Sequence, residues 1–404
     1  MRVLYCTDTW PPQVNGVSVV TSLSVDGLRA RGWDAHVIAP RYPDATPGAP
    51  RPRLGAAFRH GGATAGLGIT SLASAPLPLY PDVRLAVPDV GAIGAVVARF
   101  RPDLVHCATE FVIGRLGQLV AGRAGLPVVS SFHTDFGRYA AAYGAPWLAG
   151  GIRAYLGRFH ARAARTFTPS TASRDEVRRL GARDAVVWGR GVDTGAFTPA
   201  RRSLTLRQRL GLGDAFTVLY VGRLAPEKSV DVVLDGFARA VEERPDLPLR
   251  LVVAGAGPSE RRLRHRAAPH TIWLGNLDRA TELPPLYASA DCFAFASTTE
   301  TLGLVVLEAM ASGLPVVAVP AGGVSDHLRD RENGLAVPSR DAAGFAAAIV
   351  ALASDRALSA RLACGALATA RALDWAHELD RLDESYREVC DAAHATRPAS
   401  PAAG

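Results

Sequence analysis

The run Thr217-Val-Leu-Tyr-Val221-Gly-Arg-Leu-Ala-Pro-Glu-Lys228-Ser-Val230-Asp-Val-Val-Leu-Asp-Gly-Phe-Ala-Arg-Ala-Val-Glu-Glu243 decides the fold. A short apolar run, a turn marked by Gly222 and Pro226, and a helical pattern from Val230 to Glu243 follow one another. The next apolar run is Leu249 to Ala254, so the unit reads strand, helix, strand, the signature of a parallel sheet covered by helices.

The same order extends in both directions. Downstream, strands are expected at Thr271 to Leu274, Asp291 to Ala296 and Pro315 to Val319, with a helix at Leu304 to Ala311. Upstream, Arg2 to Thr7, Ala35 to Ile38, Leu104 to Cys107 and Pro127 to Phe132 read as strands, with helices from about Val17 to Arg31 and ending near Phe100. The alternation pauses through Phe197-Thr-Pro199. The expected fold is therefore α/β, two doubly wound parallel-sheet domains facing a cleft onto which the carboxyl ends of both strand sets open. The divisions are 1–190, 200–374, a helix over 375–392 packing back on the first domain, and an unstructured Pro/Ala tail over 393–404. Tyr42 to Pro78, rich in Pro, Gly, Ala and Ser, reads as a long surface loop.

At 404 residues, 48% apolar and 21% charged, the chain has globular composition. Asp8 and the Trp10-Pro-Pro12 break interrupt any signal-peptide apolar core, and no window of about 20 uncharged apolar residues occurs, so a cytoplasmic chain is expected. Five scattered cysteines read as buried thiols. Residues 1–190 hold 22 Arg against 12 acidic residues, a balance of +10 within a whole-chain +7. That asymmetry suits an anionic membrane surface; nucleic acid is not expected, because no zinc finger, aromatic RNA-binding signature or basic helical repeat accompanies it. Of 45 basic residues 44 are Arg, and the single Lys is Lys228. A composition that has nearly abandoned Lys yet keeps one suggests a place where a compact ammonium is wanted.

Four stretches carry chemistry. Arg223 and Lys228 lie on the turn between a strand and a helix start, where cations oppose the helix dipole unless an anion such as a diphosphate joins them. Glu300 lies in the loop after the strand ending at Ala296, and Glu308 on the following helix among Val306, Leu307, Ala309 and Met310. With seven residues between them they reach two parts of one extended ligand, and a carboxylate accepts from vicinal hydroxyls of a sugar or ribose. Backbone N–H groups of Gly303, Leu304 and Val305 at that helix start would cradle a phosphate. His133 ends the strand from Pro127, and Gly16 opens the first helix, where it permits close approach of a phosphate or acceptor. The full dinucleotide fingerprint is lacking, which speaks against a nicotinamide enzyme.

Taken in order, Pro11-Pro-Gln-Val-Asn15-Gly16-Val, Ser131-Phe-His133-Thr, Trp188-Gly-Arg-Gly-Val-Asp193, Gly222-Arg223 with Glu227-Lys228, Glu300-x7-Glu308 and Met310-Ala-Ser-Gly-Leu-Pro315 resemble the family 4 retaining glycosyltransferases of the GT-B fold. The branch they resemble contains bacterial GDP-mannose-dependent α-mannosyltransferases and sulfoquinovosyl-diacylglycerol synthases. Leu302 stands where family members often have Phe. The resemblance implies that Arg223 and Lys228 hold the donor diphosphate, Glu308 the ribose, Glu300 the transferred sugar, and His133 a sugar hydroxyl near the reacting carbon. It implies a nucleotide-sugar donor, most simply GDP-mannose, a lipid or glycolipid acceptor, and retention at the anomeric carbon. Peripheral attachment to the inner face of a membrane is expected from the +10 balance and from the stretch Arg138 to Arg165, where Tyr139, Tyr143, Trp147, Tyr155 and Phe159 alternate with Arg153, Arg158 and Arg162. No metal or other cofactor is expected, since no carboxylate-rich Mg²⁺ motif occurs. The alternatives on the same architecture are a nucleotide-sugar 2-epimerase and a UDP-sugar-dependent glucosyl or sulfoquinovosyl transferase. A phosphorylase with pyridoxal phosphate on Lys228, or an exported sugar-binding protein, fits less well.

Overall fold

The computed structural model describes residues 1–13, 15–42, 68–77, 80–133 and 146–395. Fifteen strands are described: β1 Arg2–Cys6, β2 Asp34–Pro40, β3 Gly68–Leu72, β4 Ser74–Leu77, β5 Tyr80–Ala86, β6 Leu104–Cys107, β7 Val128–Ser131, β8 Arg165–Thr168, β9 Ala185–Val187, β10 Phe216–Val221, β11 Leu249–Ala254, β12 Thr271–Gly275, β13 Cys292–Phe295, β14 Val316–Ala318 and β15 Gly334–Ala336. They form a seven-stranded sheet in the order β3-β2-β1-β6-β7-β8-β9, a six-stranded sheet in the order β12-β11-β10-β13-β14-β15, and the antiparallel pair β4-β5. Both larger sheets are parallel throughout. Their central strands are buried on both faces, which is why Val218 to Val221 and Leu251 to Ala254 read as unbroken apolar runs instead of alternating ones.

The strand orders fix where a ligand sits. In the six-stranded sheet the chain winds from β10 outward to β11 and β12, then returns to lie beside β10 with β13, Val218 opposite Cys292 and Leu219 opposite Phe293. At this reversal the loops leaving β10 and β13 diverge to opposite faces and leave a crevice at the carboxyl edge. Lys228 is on the first loop and Glu300 on the second. The seven-stranded sheet reverses in the same way between β1 and β6, with Gly16 after β1 and His133 one strand farther on, after β7.

The long helix Trp375–Ala395 lies against the seven-stranded sheet. Trp375, Leu379, Leu382 and Tyr386 join a core with Tyr5, Leu23 and Trp33. The Tyr5 and Tyr386 hydroxyls are 2.8 Å apart, and the Trp33 indole donates to Asp383 at 2.7 Å. The helix reaches Ala395, three residues into the expected tail; residues 396–404 lie outside the described residues.

Two expectations are corrected. The segment 42–78 is not one loop. Residues 43–67 lie outside the described residues, but β3 adds to the sheet edge beside β2, with His36 opposite Gly68 and Ile38 opposite Thr70, and β4 pairs with β5. An edge strand needs only one hydrogen-bonded neighbour and one covered face, so the short Gly-Ile-Thr-Ser-Leu run suffices without a strong apolar signature. Cys364 is exposed, whereas Cys6, Cys107, Cys292 and Cys390 are buried. Helix Arg356–Ala372 turns Leu362, Ala366 and Ala370 inward, and Cys364 faces away from that stripe.

Among the described residues no single helix is long and apolar enough to cross a bilayer. The apolar helices Ala342–Ser354 and Arg356–Ala372 meet at a bend of 104° and send Phe345, Ile349, Leu352, Leu362 and Ala366 into the core of the six-stranded sheet.

Candidate functional site

The reversal between β10 and β13 brings Lys228 and Glu300 together as an ion pair, both side chains largely shielded at 15% and 14% exposure. Lys228 ends the short 3₁₀ helix Pro226–Lys228, just before helix Val230–Glu243, whose first residues follow Ser229 in the left-handed region. Arg223, in the same loop, is exposed, and its peptide oxygen accepts from the Tyr220 hydroxyl at 3.2 Å.

Helix Leu304–Ala311 starts at Gly303, whose φ of +78° only glycine adopts without strain. Its first N–H groups, around Leu304 and Val305, have no intrahelical acceptor. One turn in, Glu308 is only 2% exposed and buried deep beside the crevice. Arg279, from the loop after β12, meets its Oε1 through Nε at 2.8 Å and Nη2 at 2.6 Å, and Tyr287 donates to Oε2 at 3.2 Å. The Arg279 guanidinium also lies over the Phe197 ring, 5.2 Å from its centroid. Burial, and then the Glu308 carboxylate, push the Tyr287 phenol well above its ordinary range, so it remains a hydroxyl donor.

Across the cleft, the Thr301 hydroxyl donates to the peptide oxygen of His133 at 2.6 Å. The loop that carries Glu300 thus touches the edge that carries His133. Burial pushes the His133 imidazole down to about 4, so near neutral pH it is uncharged and acts as a hydrogen-bonding group. Gly16 begins helix Gly16–Ala30, capped by Asn15, whose side chain accepts from Ser18 N–H at 2.8 Å; space around Gly16 is open. The structure therefore joins Lys228 with Glu300, brings the Glu300 loop to His133, and holds Glu308 apart from them, one turn into helix Leu304–Ala311. Among the described residues no three His, Cys, Asp or Glu side chains gather as a metal-binding set.

Several residues here had no signal in the sequence. Glu308 among apolar neighbours required buried partners, yet nothing local marked Arg279 or Tyr287 as those partners. Asp8 is another: it accepts from Thr109 Oγ1 at 2.6 Å and Ile113 N–H at 2.8 Å, fixing the loop after β6 and the start of helix Val112–Arg123. The backbone of the Glu300 loop is locked from below. A Cβ on Gly322, whose φ is +57°, would stand 2.1 Å from the Glu300 carbonyl oxygen. Gly322→Ala is expected to cost about 1–3 kcal/mol and to displace Glu300; a melting curve with unchanged midpoint would refute this.

The comparisons with known proteins give the family. Residues 14–196 match the model of Glycosyltransferase Family 4, and residues 215–355 match that of Glycosyl transferases group 1. The chain is 36% identical over 338 residues to a GDP-mannose-dependent alpha-mannosyltransferase of Mycobacterium tuberculosis, covering 84% of each chain. It is 34% identical to the protein of that name from Mycolicibacterium smegmatis, covering 87% of each, and 34% identical to the sulfoquinovosyl transferase SQD2 of Arabidopsis thaliana over 51% of that protein. Among solved structures, HepE of Anabaena in complex with UDP superposes with a TM-score of 0.73 at 21% identity, over 96% of this chain and 100% of that one. The sucrose-phosphate synthase of Thermosynechococcus elongatus gives 0.74 at 20% identity, over 97% and 99%. The chain belongs to family 4 of the glycosyltransferases, with the GT-B fold, and is a nucleotide-sugar-dependent hexosyltransferase.

Proposed function

We propose that the enzyme transfers mannose from GDP-mannose, with retention, to a lipid or glycolipid acceptor at a membrane surface. The observation that carries the donor side is the Lys228–Glu300 pair at the strand reversal, with Glu308 one helical turn beyond. It supplies a cation for a diphosphate and one carboxylate each for sugar and ribose. Mannose and guanosine are supported by the relatives, three of which, at 31–36% identity, carry the name GDP-mannose-dependent alpha-mannosyltransferase.

The mechanism follows from where charge develops. Breaking the bond from the anomeric carbon to the phosphate oxygen leaves an oxocarbenium-like sugar and a growing negative charge on the diphosphate. Lys228, Arg223 and the N–H groups at the start of helix Leu304–Ala311 face that charge, and fixed donors stabilise it more in the transition state than in the ground state. Glu300 orients the sugar hydroxyls, and neutral His133 meets one near the reacting carbon. The acceptor oxygen then bonds to the anomeric carbon on the face the diphosphate leaves, and its proton passes to the departing phosphate oxygen. In this reading the protein's own cations and N–H groups supply the charge stabilisation, and no metal takes part.

A thermal-shift panel of GDP-mannose, UDP-glucose, UDP-GlcNAc and UDP-sulfoquinovose tests the donor. The largest stabilisation is expected with GDP-mannose; protection by a UDP sugar alone would overturn this choice.

The acceptor side rests on surface chemistry. Trp147 is 77% exposed, and Phe111, Leu148 and Tyr155 are also exposed beside Arg153, Arg158 and Arg162. Aromatic rings interspersed with guanidinium groups suit a headgroup interface. Phe159, on the same helix four residues after Tyr155, is buried and belongs to the core, and Tyr139 and Tyr143 lie outside the described residues. The protein is expected to sediment with vesicles containing acidic lipid at low salt and to be released as salt rises. Failure to sediment at low salt would remove the support for a membrane-borne acceptor.

A further inference from the structure

The 3₁₀ helix Gly322–Asp326 belongs to the six-stranded sheet, following β14, yet its last side chain is held by the other half of the molecule. Asp326 Oδ2 accepts from Arg190 Nη2 at 2.7 Å and from the N–H of Thr171 at 2.7 Å. Arg190 lies just after β9, and Thr171 begins helix Thr171–Arg179, where an unpaired N–H and the helix dipole favour an anion. Arg190 also donates to Thr171 Oγ1 at 3.0 Å. The Arg190 and Asp326 side chains are 21% and 13% exposed, so water screens the pair weakly.

The same short helix grips the Glu300 loop with no side chain in between. The Gly323 N–H donates to the Glu300 carbonyl at 2.8 Å, and a Cβ on Gly323 would stand 2.3 Å from the Thr301 carbonyl oxygen. Immediately after it, the His327 Nε2–H donates to the Leu302 carbonyl at 3.1 Å. Backbone packed on backbone has no rotamer in which to absorb a shift, so a displacement of this helix moves residues 300–302 with it.

We propose that Asp326 is a positioning residue: seated on Arg190 and Thr171, it sets the distance between the Glu300 loop and the edge of the seven-stranded sheet that carries His133. It touches no substrate. It acts through the Gly322–Gly323 backbone, and the Thr301 hydroxyl on the His133 carbonyl is the second crossing that the first holds in register. The consequence rests on the reading of Glu300 as the sugar-end carboxylate. Transfer should depend on the Arg190–Asp326 pair, while capture of the bare nucleoside diphosphate, whose ribose subsite at Glu308 is held by Arg279 and Tyr287, should not.

Asp326→Ala is expected to lower kcat about 3- to 30-fold, the size of coupling that travels through packed networks, with affinity for GDP by calorimetry kept within about threefold. Arg190→Ala should do the same, and the double variant should be no worse than the poorer single one, because both remove one pair. Asp326→Asn retains an acceptor for Thr171 but loses the charge, so it should fall in between, and it carries the test if Asp326→Ala does not fold. Hydrogen exchange gives a readout independent of turnover: the peptide spanning 298–304 should exchange faster in Asp326→Asn than in wild type. Unchanged exchange over 298–304, or GDP affinity falling in step with kcat, would each overturn the proposal. Faster exchange at 298–304 with unaltered turnover would mean that the pair holds the loop but Glu300 is not the sugar-end group.

Discussion

Glu308→Ala is expected to abolish measurable binding of the bare nucleoside diphosphate at ordinary calorimetric concentrations. It should also lower the melting temperature. Both effects have one cause. Glu308 is nearly fully buried and is the shared acceptor of the Arg279 guanidinium and the Tyr287 hydroxyl. Removing one partner of a buried charged pair costs about 3–5 kcal/mol, since the remaining charge keeps its desolvation penalty without its counter-charge. A ribose diol loses its acceptor at the same stroke. Glu308→Gln separates the two: the amide keeps volume and an acceptor oxygen for Arg279, so folding should survive better than binding. Glu300→Ala, by contrast, should act mainly on turnover, because the transferred sugar is absent from the bare diphosphate. If calorimetry shows Glu300→Ala as the weak binder and Glu308→Ala unchanged, the roles of the two carboxylates are reversed.

That contrast also marks what the sequence could and could not reveal. Both sheets were legible because a parallel strand covered by helices is apolar on both faces, and Val218 to Val221 or Leu251 to Ala254 cannot be read as anything solvated. The strand reversal that joins Lys228 to Glu300 appears only in the strand order of the folded sheet, and the partners of Glu308 likewise appear only there. Arg279 and Tyr287 come from the loop after β12 and the helix that follows, and only folding brings them within hydrogen-bond distance of Glu308. Arg190 and Asp326 were equally hidden: one stood inside Trp188-Gly-Arg-Gly-Val-Asp193 and the other in a Gly-rich turn, 136 residues apart. β3 has no sequence signature of its own because an edge strand needs little apolar character, and the run before it, Gly61 to Leu67, is mostly Gly and Ala.

The largest effect on catalysis is expected at the solitary lysine. Lys228 is paired with Glu300, and in the donor complex it would face a diphosphate as well. Lys228→Ala removes a charge-assisted bond and leaves the shielded Glu300 carboxylate without its cation, so kcat/KM should fall by about 10- to 150-fold or more. Lys228→Arg is the sharper test. A guanidinium keeps the charge, but its planar fork favours both oxygens of one carboxylate at once, so it would hold Glu300 bidentately and withdraw it from the sugar. An ammonium presents three rotatable donors and can serve carboxylate and phosphate together. In a chain with Arg at 44 other basic positions, a mere accident of composition predicts that Lys228→Arg works normally. A fitted ammonium predicts a clear loss in turnover with little change in melting temperature. Steady-state assays at saturating acceptor, run beside a melting curve, distinguish the two. Wild-type kinetics in Lys228→Arg would end the argument from scarcity, while the Glu308 subsite and its Arg279 partner would stand on their own geometry.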